Sequence, residues 1–241
     1  MQTLSEREQQ LSQFGEFGRD PSLVLYLPLW KKDGISFMSD DSYGHLATVT
    51  GATWGIQGRT FDGVDDLVSI PDAVCIQNIF DIGGTLLIWS KAITNGEAAG
   101  RFFDKTGSTT AGWLLCVTTT ATEDIAFSHY FQNGVTASRW TTDAGLFFPW
   151  SVPHLIAITY NSSDITNDPV IYVDGISQTI VETTTPVGTR TSDVGKDLYI
   201  GNRSDTARTW DGQHDEVLLY TRVLSTQEIW LIYLATKWRY R

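Results

Sequence analysis

The sequence predicts an all-β protein: a two-sheet antiparallel jelly-roll sandwich with a short C-terminal helix. Three observations predict it. Short apolar runs recur along the chain, divided by clusters of Gly, Asn, Asp, Ser and Thr, which is the grammar of a sandwich or barrel rather than of βαβ units. One divider, Asp174-Gly175, suits a type I′ hairpin turn, in which both central residues have positive φ. Several runs are apolar on both alternating faces. In one of them Leu155, Ala157 and Thr159 lie on one side and Ile156, Ile158 and Tyr160 on the other, the pattern of a strand covered from both sides.

Each element follows in order. Residues 1–20 read as an N-terminal arm. Ser5 and Glu8 match a capping box, and Gly15 and Gly18 would stop the helix they start. Its apolar residues are few, so it must dock to be stable. Residues 21–224 carry the sandwich. Strands are expected at Leu23–Trp30, with Pro28 marking an edge or bend, and at Thr85–Ser90, Leu155–Tyr160, Val170–Val173, Leu198–Ile200 and Val217–Tyr220. Residues 225–241 form a helix and tail. Ser225 and Glu228 make a capping box, and the helix Ser225–Thr236 is apolar almost all round. Such a helix is buried on more than one side: its own sandwich covers one and a partner is the candidate for the other, the alternative being an ordinary helix docked on its own sandwich. The tail, Lys237-Trp238-Arg239-Tyr240-Arg241, is basic in an acidic chain.

Composition narrows the function. Over 241 residues, 41% hydrophobic content supplies a core, and a net charge of −11 disfavours nucleic-acid partners while suiting hard cations. Cys75 and Cys116 sit between apolar neighbours and read as small buried hydrophobes. The first twenty residues hold no apolar stretch of the Sec signal type, and no run has membrane-spanning length.

A set of short motifs recurs in order from Leu23 to Ile229. They include Asp41-Ser42-Tyr43-Gly44-His45, Phe61-Asp62-Gly63-Val64-Asp65-Asp66, Ile88-Trp89-Ser90-Lys91, Tyr172-Val173-Asp174-Gly175 and Gly212–Ile229. In this order they resemble the laminin G-like branch of the concanavalin A-like jelly rolls. The resemblance implies two stacked antiparallel sheets and a mostly non-catalytic module that binds carbohydrate or protein, often beside calcium. It also implies a structural Ca²⁺ site with the Asp41 and Asp215 carboxylates and backbone oxygens near Ser42 and Gly44 as ligands. The open alternative is that Asp215 pairs with Arg59, Arg203 or His214, or caps a loop. Asp62–Asp66 reads as a tight turn with Gly63 at positive φ.

Three further expectations concern function. Related glucanases cut with two carboxylates on one strand face. Glu123-Asp124 and Asp215-Glu216 are adjacent, so strict alternation sends each pair to opposite faces and argues against a glycoside hydrolase or polysaccharide lyase. The resemblance makes Trp54, Trp89, Trp150 and Trp210 core residues. It leaves Trp113, Tyr130, Arg139 and Trp140 as a candidate sugar-stacking site, with packing as the alternative. The two ends, together with the absent leader, suggest a subunit that contacts other proteins through residues 1–20 and the C-terminal helix and tail. Leaderless chains of this kind resemble virion decoration or host-adhesion proteins of tailed phages; a secreted or surface lectin-like module is the other reading.

Overall fold

The computed structural model describes residues 19–94, 96, 99–107, 110–118, 124–131, 136–143 and 152–240. The arm at 1–18, Glu123 and Trp150 lie outside the described residues.

Two antiparallel sheets stack face to face. The first has eight strands. Seven run in the order Ile176–Ser177, Val170–Val173, His154–Tyr160, Gly84–Ala92, Asp211–Tyr220, Gly58–Asp62 and Thr53–Gly55, and Leu23–Leu27 adds to Asp211–Tyr220. The second has nine, in the order Ile180–Thr184, Thr136–Thr142, Ile125–Phe131, Trp113–Val117, Arg101–Asp104, Leu198–Ile200, Leu67–Ile70, Leu46–Thr50 and Ser36–Met38. The jelly-roll prediction holds, and strands placed from sequence at Val170–Val173 and Leu198–Ile200 have those bounds. The hairpin turn forms as its chemistry requires: Asp174 has φ of 53° and Gly175 of 79°.

Alternation in the first sheet feeds two separate apolar layers. Leu25, Leu27, Ile88, Ile156, Val217 and Leu219 face the second sheet and build the main core. Tyr26, Leu87, Trp89, Leu155, Leu218 and Tyr220 face the other way, under Ile229 and Ile232 of helix α1, Thr226–Thr236. The two-faced apolar strands thus have their explanation in a helix lying over the sheet's outer face. Helix α1 opens on the expected capping box. The Glu228 amide donates to Ser225 Oγ at 3.3 Å, and the Ser225 amide donates to Glu228 Oε2 at 2.7 Å. Arg222 bonds both Glu228 and Asp20, which pulls the Glu228 carboxyl down to about 2.

The C-terminal tail packs on its own chain. Residues Lys237–Tyr240 continue α1 as a 3₁₀ turn and fold onto the chain's own first sheet. Tyr240 stacks on Trp89 with ring centroids 4.1 Å apart. Both cysteines are free thiols, Cys116 buried and Cys75 half-buried. No helix among the described residues is long and apolar enough to cross a membrane.

A bulged carboxylate pair and an aromatic groove

The final strand, Asp211–Tyr220, breaks its own period. The register against Gly84–Ala92 pairs Asp215 with Trp89 and then Val217 with Ile88, so Glu216 is an extra residue, a β-bulge. Glu216 takes φ of 31°, unusual for a residue with a side chain and costly by about 1–3 kcal/mol. The bulge corrects the alternation argument. His214 packs inward among Phe61, Phe102 and Trp210, and Val217 and Leu219 also lie inward. Asp215 and Glu216 both reach groups on the sheet's outer face. Asp215 therefore does not share a face with Val217 and Leu219, and the adjacent carboxylates do share one.

The tail covers that pair. Asp215 is 2% exposed and Glu216 fully buried. Glu216 Oε1 accepts from the Tyr26 hydroxyl at 2.9 Å and is ion-paired to the Arg239 guanidinium. Asp215 Oδ2 accepts from the Tyr240 hydroxyl at 2.6 Å, and its Oδ1 accepts from the Trp30 amide at 3.0 Å. Burial, with the Glu216 charge beside it, pushes the Asp215 carboxyl up to about 7. The Tyr240 phenol is driven well above its usual range by burial and by Asp215. Asp215 thus caps a loop, one of the alternatives open in the sequence, and its partners are Trp30 and Tyr240. Arg59 is spent elsewhere, on the carbonyls of Ala52, Lys32 and Gly34.

The carboxylates expected to hold calcium are engaged by hydrogen-bond donors of the chain. Asp41 Oδ1 accepts from the amides of Tyr43 and Gly44 at 2.8 and 3.0 Å, and Oδ2 accepts from the Tyr26 amide at 3.0 Å. With Asp215 bonded to an amide and a phenol, both carboxylates accept from donors of the chain itself. Ser42 is exposed, and Gly44 supplies positive φ of 70° to the Asp41 loop. Asp62, Asp65 and Asp66 do place ligand atoms within 4.8 Å of one another. Their bonds are those of a turn: Asp66 Oδ2 accepts from the Asp62 amide and Asp62 Oδ1 from the Val64 amide, both at 2.9 Å, with Gly63 at φ 77°.

The expected sugar-stacking set is divided by the pleat. Trp113 and Trp140 point into the main core and are fully buried. Their indoles donate to Asp193 at 3.0 Å and Asp168 at 2.7 Å, so neither ring offers a face to a ligand. Tyr130 and Arg139 take the opposite face of the second sheet, Tyr130 beside Leu114, Cys116 and Ala126, and Arg139 near the Ser128 hydroxyl at 3.4 Å. Trp89 and Trp210 are core, as expected; Trp54 is not, being 42% exposed.

Trp54 belongs to a groove that sequence reading missed. Trp30, Trp54, Ile56, Gln57, Trp238 and Arg239 line a hollow of about 570 Å³. Its first wall is the tight hairpin Thr53–Asp62. Gly58 sits against the bulge at φ of 107°, where a Cβ would stand 2.3 Å from the His214 carbonyl oxygen, so this glycine sets how closely the hairpin approaches. Ile56 at its tip is 81% exposed. The Trp54 indole donates to the Trp30 carbonyl at 3.0 Å. The second wall is the tail: Trp238 is 37% exposed, and the Arg239 guanidinium lies 4.7 Å from the Trp30 ring centroid and 5.7 Å from that of Trp238. Lys31 adds a second cation 5.0 Å over Trp30. The signals for this groove were present separately, in an exposed isoleucine between two glycines at Gly55–Gly58 and in the basic aromatic tail.

Sandwich topology, motif order and site together define a lectin-like jelly roll. The chain belongs to the concanavalin A-like lectin/glucanases superfamily, whose laminin G-type model matches residues 62–230. No curated protein matches it significantly in sequence. Among solved structures it is similar to the receptor-binding domain of botulinum neurotoxin mosaic serotype C/D, with a TM-score of 0.66 at 12% identity over 89% of this chain and 51% of that one. It is also similar to the botulinum neurotoxin serotype D ligand-binding domain in complex with N-acetylneuraminic acid, with a TM-score of 0.63 at 12% identity, 89% and 51% covered. A third is the binding domain of Paraclostridial Mosquitocidal Protein 1, with a TM-score of 0.62 at 13% identity, 88% and 52% covered. The chain spans about half the length of these chains, and the likeness is one of fold.

Proposed function

We propose that this chain is a non-catalytic, lectin-like binding module that seats a saccharide in the aromatic groove. The observation that carries it is the partly exposed rings of Trp54 and Trp238 in one hollow with Ile56, flanked by the donors of Gln57, Lys31 and Arg239. A pyranose ring presents apolar C–H faces and equatorial hydroxyls, and such a hollow answers both. Solved relatives of the same fold include one bound to N-acetylneuraminic acid and one to rat synaptotagmin II, which supports a binding role for the fold. Hydrolysis is disfavoured because the Asp215–Glu216 pair, which the bulge brings to a shared face, is sealed beneath the tail. A glycan array with wild type and Trp54→Ala tests the reading. Binding to one glycan class, lost in the variant, supports it; no binding to any glycan, or binding indifferent to Trp54, overturns it.

A second reading, a virion decoration or host-adhesion subunit of a tailed phage, has one observation in its favour. Trp230 on α1 and Ile176 on the neighbouring hairpin remain 39% and 61% exposed around a hollow of about 540 Å³, an apolar patch fit for a neighbouring subunit. Light scattering on wild type and Trp230→Glu decides it: an oligomer dissociated by the substitution supports this reading, and a monomer in both removes it.

A further inference from the structure

The tail has two jobs that meet in one residue. Arg239 reaches inward to Glu216, a fully buried carboxylate at the bulge. It also lies over both Trp30 and Trp238, so the same guanidinium that closes the ion pair props the groove's second wall. On either side of it, Trp238 forms that wall and Tyr240 stacks on Trp89 while bonding Asp215. Glu216 holds its strained φ while its other contact, the Tyr26 hydroxyl, fixes it from the first strand.

We propose that Glu216 is a positioning residue that acts through Arg239 to seat the tail, and that the groove exists only while the tail is docked. This rests on the reading of the groove as the binding site. An undocked tail takes Trp238 and Arg239 away from the hollow, leaving Trp30, Trp54, Ile56 and Gln57 as an open slope. Ligand affinity is then scaled by the fraction of molecules with the tail docked. By reciprocity a groove ligand must hold the tail down by the same factor. A merely structural ion pair would stabilise the sandwich without linking these two events.

The test uses the full chain, wild type and Glu216→Gln, with Arg239→Met as a second variant in case the first does not fold. Glutamine keeps the acceptor for Tyr26 and removes the charge that Arg239 needs. Tail docking is read without ligand, from the rate of C-terminal residue release by carboxypeptidase Y and from the indole ¹H–¹⁵N resonance of Trp238. The expected result is release at least about tenfold faster, roughly 1.4 kcal/mol of docking lost. Trp238 moves to its random-coil position while Trp113 stays in place. A tail equally protected in the variants overturns the role of Glu216. Cellohexaose, a run of β-linked pyranose rings, then serves as the groove probe. It is expected to slow release in wild type and to bind either variant at least tenfold more weakly. Binding that survives tail release overturns the coupling. Failure of cellohexaose to bind wild type, alongside a negative glycan array, overturns the groove reading and the coupling with it, while the release assay still decides whether Glu216 seats the tail.

Discussion

Asp215 makes the stability of this protein depend on pH in the same direction as the buried Asp66 and Asp193, and opposite to that of the half-buried, partnered carboxylates. Its carboxyl rises from the ordinary 3.8 to about 7 because it is buried and stands beside Glu216. A carboxyl raised on folding means that the folded state holds the proton more tightly than the unfolded chain. The stability it contributes is therefore complete below pH 3.8 and is lost as pH rises towards 7. A displacement from 3.8 to about 7 corresponds to ~4 kcal/mol. In a chain of this length each kcal/mol moves the melting temperature by about 2–4 °C, so the effect is on the order of 8–16 °C. Other carboxylates pull the other way: Asp20, Asp72 and Glu228 are lowered by their cationic or hydrogen-bonding partners and lose stability as pH falls. The useful quantity is accordingly the difference between wild type and Asp215→Asn, measured by calorimetry at intervals from pH 4 to pH 8. Asparagine keeps an acceptor for the Trp30 amide and cannot ionise. Wild type should lose ground against the variant from pH 4 to about pH 7 and level off above it, by up to the amount above. A difference that stays constant with pH would mean that Asp215 titrates normally and that the tail does not seal it.

Other substitutions probe the frame around the site. Gly58→Ala places a methyl against the His214 carbonyl at a φ that glycine alone tolerates, and should cost at least about 1–3 kcal/mol in urea denaturation; an unchanged midpoint would contradict the packing of the hairpin on the bulge. Ser225→Ala removes the N-cap of α1 and should cost about 1 kcal/mol by the same assay. Millimolar calcium should leave the melting temperature unchanged, since Asp41 and Asp215 already face amide and hydroxyl donors. A calcium-dependent rise abolished by Asp41→Ala would restore the metal site.

What was legible in the sequence follows periodic rules. Alternating strands, the Asp174-Gly175 turn and the Ser225–Glu228 capping box each depend on residues close in the chain, and each formed as expected. The site depends on breaks in those rules. One inserted residue at Glu216 reverses which carboxylates share a face, and nothing in the local residue types signals it, since Glu is not a residue that favours positive φ. The groove joins Trp30, the 54–57 turn and the 238–239 tail, three segments far apart in the chain. The tail's composition drew notice, but a basic aromatic run is equally suited to a partner or to its own sheet until the buried Glu216 is seen. Trp113 and Trp140 misled for the converse reason: an indole beside an arginine reads as a stacking platform, and only the pleat shows that the rings turn inward while Tyr130 and Arg139 turn out.

The central claim is that a saccharide occupies the groove between Trp54 and Trp238. Indole ¹H–¹⁵N spectra, with all nine tryptophan side chains assigned, test it most directly when recorded during titration with the glycan selected on the array. The account predicts saturable shifts at Trp30, Trp54 and Trp238, with Trp113 and Trp140 unmoved. Shifts confined to Trp113 and Trp140, or a glycan that binds while leaving the three groove indoles in place, would contradict it.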